Sequence, residues 1–186
     1  MNCTNFLLKL TIMSTAFILF ASFTKKHYLW STWKTITLHK YESCVVLNQK
    51  LTESRRRLLF VDQSMLEQAR MGITSDTSVH LVIVSVADLG CKDDGAYLKD
   101  IFVKAQNCGL GLCPALTGPE LAIQYWSQPL GEELHIAMNP VSASSDHSPN
   151  IFSVVHGKKG LWLHSTLGKP YAYYNRSEYF VFTVLK

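Results

Sequence analysis

Apolar residues repeat at helical spacing in the first half of the chain. Leu58, Val61, Met65 and Ala69 recur every three or four residues, which predicts a helix over about residues 52–70. Ser64 with Glu67 also fits a capping box, so the alternative is a helix that starts or restarts there. The pattern changes at residues 79–87 to an unbroken β-branched run, typical of a well-buried strand.

Two further helices are predicted after this strand. Acidic residues at Asp93 and Asp94 complement the dipole at the start of the first, and Gly109 can end it. Pro119 suits the first turn of a second, shorter helix, and Thr117 can cap it.

The last third of the chain has the period of antiparallel strands. Strands are predicted at residues 133–138, 150–156, 161–166 and 178–185. The second and third flank a four-residue hairpin loop at residues 157–160. Symmetric closure of that loop would pair His156 with Leu161 and Val154 with Leu163, and would put Phe152, Val154, Leu161 and Leu163 on the buried face.

Helices followed by a run of strands favour an α+β fold. We therefore predict a mainly antiparallel sheet of about four to five strands with two or three helices, preceded by a hydrophobic N-terminal helix. The predicted divisions are a hydrophobic anchor or signal-like segment at residues 1–27, a connecting region with a helix at 28–75, and a single α+β domain at 76–186.

Residues 6–23 form a largely apolar run. Its uninterrupted part, residues 10–23, is shorter than the roughly 20 residues of a membrane span and has the length of a signal-peptide core. However, Phe20 and Phe23 stand where a cleavage site needs small residues. The sequence therefore favours an uncleaved transmembrane anchor; the alternatives are a signal peptide, a mis-called start and a buried helix.

Basic residues follow this run and suggest its orientation. Lys25, Lys26 and Lys34 lie after it, and the side richer in basic residues tends to stay cytoplasmic. We therefore expect a membrane-anchored protein with a cytoplasmic main domain; the alternative is a secreted or periplasmic domain after signal cleavage.

Composition excludes several classes of protein. The charged fraction of 17% and the apolar fraction of 47% argue against disorder. The net charge of +4 comes largely from basic residues before residue 60, so it does not indicate a nucleic-acid partner. Five irregularly spaced cysteines do not form a disulfide framework and are interpreted as free thiols.

The segment 109–132 combines turn residues, a short helix and polar side chains. Glu120 and Gln124 are four residues apart and share a helix face, and Gln128 follows just after the helix. Two aromatic residues between them add apolar surface. The predicted binding residues are Glu120, Gln124, Tyr125, Trp126 and Gln128.

The same segment carries a family pattern, LCPA–GP–L–QY–QP–GE–L–IAM–P. The matching residues are Leu112, Cys113, Pro114, Ala115, Gly118, Pro119, Leu121, Gln124, Tyr125, Gln128, Pro129, Gly131, Glu132, Leu134, Ile136, Ala137, Met138 and Pro140. The chain resembles, over roughly residues 80–186, a family of small bacterial proteins that share this core. No activity is attached to that family, so the resemblance implies no catalytic role.

Standard catalytic motifs are missing from the sequence. It has no phosphate-binding Gly-Lys-Ser loop, dinucleotide fingerprint or Gly-x-Ser-x-Gly elbow. We therefore predict a non-enzymatic binding or interaction module held at the membrane through residues 6–23. Its partner would be a protein or small molecule, without cofactor, metal or nucleic acid.

The alternative is a small hydrolase or transferase. Cys113 would be its nucleophile, paired with His135 or with one of two other histidines, His156 and His164, and supported by Glu120.

Overall fold

A computed structural model of the chain describes residues 30–91 and 94–184, within which four helices and eleven strands are found. The helices are α1 (Cys44–Glu53), α2 (Gln63–Met71), α3 (Leu98–Asn107) and α4 (Thr117–Gln124). The strands are β1 (Lys34–Leu38), β2 (Arg57–Leu59), β3 (Thr77–Ser85), β4 (Gly95–Tyr97), β5 (Leu110–Gly111), β6 (Glu133–Ile136), β7 (Val141–Ser142), β8 (Pro149–Gly157), β9 (Gly160–Leu167), β10 (Tyr173–Asn175) and β11 (Tyr179–Val184).

Nine of these strands form one mixed sheet. Its main path runs β1-β3-β11-β6-β8-β9-β2, with β5 beside β11 and β7 beside β8. Two pairings are parallel, β6 with β11 and β2 with β9, and the rest are antiparallel. The sheet curls into a half-barrel. Strands β4 and β10 form a separate antiparallel pair.

The predicted fold class is wrong in strand number and in the character of the sheet. The prediction counted four to five mainly antiparallel strands, whereas the described sheet has nine strands and two parallel pairings. The extra strands are short, and two of them, β1 and β2, lie in the region taken as a connection. Such strands carry too few residues to show a clear alternation, so periodicity alone misses them.

The helix predicted at residues 52–70 is two helices with a strand between them, and the second begins at Gln63, next to the alternative start at Ser64. Ser54 caps the C-terminus of α1, and Arg55 then adopts a φ of 56°, which a helix does not allow. Asp62 starts α2 by accepting a hydrogen bond from the backbone N–H of Met65 at 2.9 Å. The chain between these caps, residues 57–59, is therefore free to pair with β9.

The hairpin register predicted for β8 and β9 is confirmed. His156 pairs with Leu161 and Val154 with Leu163, and the loop closes with Gly157 opposite Gly160. Gly160 has a φ of +115°, a conformation that favours glycine because it lacks a Cβ atom.

Helix α4 fills the concave side of the half-barrel. It contacts β1 at one end of the sheet path and β8 and β9 near the other end. A single helix reaches both ends only if it lies on the concave face of the curved sheet. Gly118 allows this close approach, because a Cβ atom there would lie 2.6 Å from the Cβ of Phe152 on β8. On the opposite face, Phe102 of α3 packs edge-on against Phe180 and Phe182 of β11.

No helix in the described part of the chain has both the length and the apolar character that a membrane crossing requires. The transmembrane-helix prediction is thus wrong for every helix described. The run at residues 6–23, where we placed the anchor and its N-terminal helix, lies outside the described residues. Membrane attachment and the cytoplasmic location stay predictions.

Candidate functional site

Glu120, predicted to bind a ligand, lies fully buried on α4 and hydrogen-bonds to the chain at the end of β1. Its Oε1 accepts hydrogen bonds from the backbone N–H of His39 at 2.9 Å and contacts Nδ1 of the same residue at 2.9 Å. Its Oε2 accepts a hydrogen bond from Nε2 of Gln124 at 2.7 Å. The carboxylate is therefore committed to internal partners.

Gln124 also hydrogen-bonds to the backbone of β1, at Thr37. Its Oε1 accepts from the backbone N–H of Thr37 at 3.1 Å, and its Nε2 donates to the Thr37 carbonyl at 2.7 Å. A side-chain amide thus makes the two bonds that a neighbouring strand would make. Since unpaired edges invite further strand pairing, α4 closes one edge of the sheet.

Gln128 ties the turn at Pro129 to the sheet. It is 3% exposed, and its Nε2 donates to the Val154 carbonyl at 3.0 Å and to the Glu132 carbonyl at 3.2 Å. Its Oε1 accepts from the buried guanidinium of Arg56 at 3.2 Å. Burial lowers the pKa of Arg56 to about 10.

The two aromatic residues of the predicted binding segment differ in exposure. Tyr125 is buried, packs edge-on against Trp33 at 5.1 Å, and accepts a hydrogen bond from Arg56 at its backbone oxygen. Trp126 is 80% exposed. Of the five predicted binding residues, Trp126 alone offers substantial surface to a partner, because the other four hold α4 and the following turn in place.

The structure gives the alternative nucleophile, Cys113, no histidine partner among the described residues. Its buried thiol donates a hydrogen bond to the Val181 carbonyl at 3.4 Å. Burial raises the pKa of this thiol far above its ordinary value, so the reactive thiolate is disfavoured. His135, its predicted partner, contacts Glu178 and two aromatic rings instead.

A cleft forms where the parallel strands β6 and β11 begin side by side. Its walls are Ile83 and the residues at the start of each strand, 131–135 and 177–179. Its volume is about 440 Å³, which lies within the range of small-molecule sites. We name this feature the β6–β11 cleft.

His135 is the most deeply buried polar side chain in the β6–β11 cleft. It is 3% exposed, and its ring packs against Tyr174 at 4.9 Å and Phe180 at 5.2 Å between centroids. Its Nε2 lies 3.3 Å from Oε1 of Glu178, while its Nδ1 is buried without a hydrogen-bond partner among the described residues. Such an unmet polar atom costs about 1–3 kcal/mol unless something pairs with it.

Glu133 extends this polar arrangement across the sheet. Its Oε1 accepts a hydrogen bond from Oγ of Ser153 at 3.3 Å and lies 3.9 Å from Nδ1 of His164. The contact with His164 lowers the pKa of Glu133, and the contact with His135 lowers the pKa of Glu178. Both carboxyl groups are therefore negatively charged at neutral pH.

A third carboxylate, that of Glu132, also lines the β6–β11 cleft. Its Oε2 is buried and has no hydrogen-bond partner among the described residues. Burial, and then the negative charge of Glu132, raise the pKa of Tyr125 to about 12. The cleft therefore contains three carboxylates and one buried imidazole.

The sequence carried a partial signal for this site. Alternation in β6 places His135 on the face opposite Leu134 and Ile136, but nothing in the sequence predicts that β11 lies parallel to β6 and brings Glu178 to it. Within the described residues, no group of three or more histidine, cysteine, aspartate or glutamate side chains is arranged to hold a metal ion.

No family model, no curated protein and no solved structure matches this chain.

Proposed function

We propose that this chain is a non-enzymatic binding module whose ligand occupies the β6–β11 cleft. The observation that carries this proposal is the imidazole of His135, which lines an open cleft yet leaves Nδ1 buried and unpaired. Buried polar groups are almost always hydrogen-bonded in folded proteins, and a ligand in the cleft would meet this need.

The second ring nitrogen of His135 supports a binding role. The contact between Nε2 and Glu178 fixes the orientation of the ring, and Tyr174 and Phe180 pack against it. A polar group held in this way is preorganised, so little conformational entropy is lost in ordering it when a ligand binds.

No contact within residues 30–91 and 94–184 favours the alternative hydrolase or transferase. A nucleophilic cysteine needs a base within hydrogen-bond reach and a depressed pKa, whereas the Cys113 thiol donates to a backbone carbonyl and is deeply buried. The proposal therefore places no catalytic step in this chain.

A thermal-shift panel on the full chain tests the binding role. Probes of each charge type are used: 1,4-diaminobutane, glucose, acetate and inorganic phosphate. A ligand that binds only the folded state raises its stability by RT ln(1 + [L]/Kd), or about 2.7 kcal/mol at a concentration one hundred times Kd. We expect at least one probe to raise the melting temperature of the wild-type protein.

The variant Glu132→Gln keeps the shape of a cleft side chain and removes its charge, so its response to the same probe should differ from that of the wild type. A cationic or neutral probe should stabilise the variant less, and an anionic probe should stabilise it more. The proposal fails if no probe changes the melting temperature, or if the variant responds to the probe as the wild type does.

A further inference from the structure

Resting on the proposed function, we propose that the β6–β11 cleft binds a small organic cation that bears N–H donors, such as an alkylammonium or guanidinium group. The inference combines the charge of the cleft, the kind of hydrogen bond its buried atoms lack, and its aromatic wall.

The charge of the cleft is opposite to that of the whole chain. Glu132, Glu133 and Glu178 line it, and the described residues of its lining include no lysine or arginine. The chain as a whole carries a formal net charge of +4. A concave site lined by one sign of charge concentrates counter-ions of the other sign. The cleft therefore attracts cations and repels anions.

The cleft offers hydrogen-bond acceptors that require a donor. An ionised carboxylate accepts hydrogen bonds and donates none. Three glutamates line the cleft, and Oε2 of Glu132 is buried without a hydrogen-bond partner among the described residues. A ligand that pairs with these oxygens must supply N–H or O–H groups, which a quaternary ammonium ion does not have.

An aromatic side chain completes the lining. Tyr179 stands at the start of β11, lines the cleft and is half-exposed. The face of a tyrosine ring attracts cations within about 6 Å of its centroid. Charge, acceptors and ring together fit an organic cation better than a neutral or anionic molecule of the same size.

Isothermal titration of the full chain with three probes of equal chain length tests the inference. The first, 1,4-diaminobutane, supplies charge and N–H donors. The second, butane-1,4-bis(trimethylammonium), supplies charge alone, and the third, 1,4-butanediol, supplies donors alone. We expect 1,4-diaminobutane to bind at least about tenfold more tightly than either analogue, because each analogue lacks either the charge or the N–H donors of a charge-assisted hydrogen bond.

Two cleft variants and one matched control locate the binding. Glu178→Gln and Glu132→Gln each remove one negative charge from the cleft, so each should weaken 1,4-diaminobutane about tenfold or more. Glu42→Gln removes the same charge from an exposed position outside the cleft and should bind like the wild type. Using two cleft variants keeps the test valid if one of them fails to fold.

The outcomes separate this inference from the proposed function. Equal or tighter binding of the diol or of the quaternary ion overturns the inference and leaves the binding role standing. Stabilisation in the thermal panel by acetate or phosphate alone also overturns the inference of a cationic ligand and leaves the binding role standing. Equal binding by Glu42→Gln and both cleft variants overturns the location, and a panel without any stabilising probe overturns the binding role itself.

Discussion

Replacing Glu120 with alanine is expected to lower the free energy of unfolding by about 3 kcal/mol. The carboxylate is fully buried and accepts hydrogen bonds from the backbone N–H of His39 and from Nε2 of Gln124. Without it, both donors lose their acceptor, and each unsatisfied donor costs about 1–3 kcal/mol where water does not reach it. The edge of β1 is then held by Gln124 alone.

Denaturant unfolding of two further variants makes this measurement specific. Glu120→Gln keeps one acceptor oxygen and should lose roughly half as much stability. Glu42→Ala removes an exposed glutamate and should change stability by no more than about 0.5 kcal/mol. If Glu120→Ala unfolds at the same denaturant concentration as the wild type, the hydrogen bonds of Glu120 to His39 and Gln124 do not stabilise the fold. Glu120 is then again a candidate binding residue.

Replacing Gly118 with alanine should also lower the free energy of unfolding by about 3 kcal/mol, which is at the upper end of the range for overpacked cores. The new Cβ would lie 2.6 Å from Cβ of Phe152 and 2.9 Å from two of its ring carbons. Phe152 is fully buried, and α4 is enclosed by strands from both ends of the sheet path, so neither partner can move away freely.

Gly72→Ala provides the matched control for this substitution. Gly72 has a φ of −76°, and a Cβ there would meet nothing within 4 Å, so we expect little loss of stability. A double variant, Gly118→Ala with Phe152→Leu, should lose less than the sum of the two single changes, because the smaller side chain relieves the clash. A wild-type melting temperature for Gly118→Ala would contradict the close packing of α4 in the half-barrel.

The sequence predicts those elements whose pattern is long and local. The β8–β9 hairpin is an example, because two strands and a four-residue loop set one register. The edge strands β1 and β2 could not be predicted, because β1 has five residues and β2 three. They pair with partners far away in sequence, and a short run of residues does not specify such a partner.

The contrast between local patterns and long-range pairing also explains why the sequence did not predict the candidate site. Glu120, Gln124 and Gln128 stand out in sequence as polar residues around a short helix, and this pattern predicts a binding role for them. The structure shows why polar residues are needed there: they pair with the backbone of β1 and β8 inside the half-barrel. The cleft depends instead on the parallel contact of β6 with β11, which joins residues more than forty positions apart.

The central claim is that ligand binds in the β6–β11 cleft and not on the α4 segment. Two-dimensional ¹H–¹⁵N spectra of the labelled full chain test it most directly, with the panel probe that stabilises the protein most, expected to be 1,4-diaminobutane. Our account predicts that the amide signals of residues 131–135 and 177–179 shift on titration. Shifts confined to residues 120–128 around Trp126, or no shifts in the cleft residues at saturating probe, would contradict it.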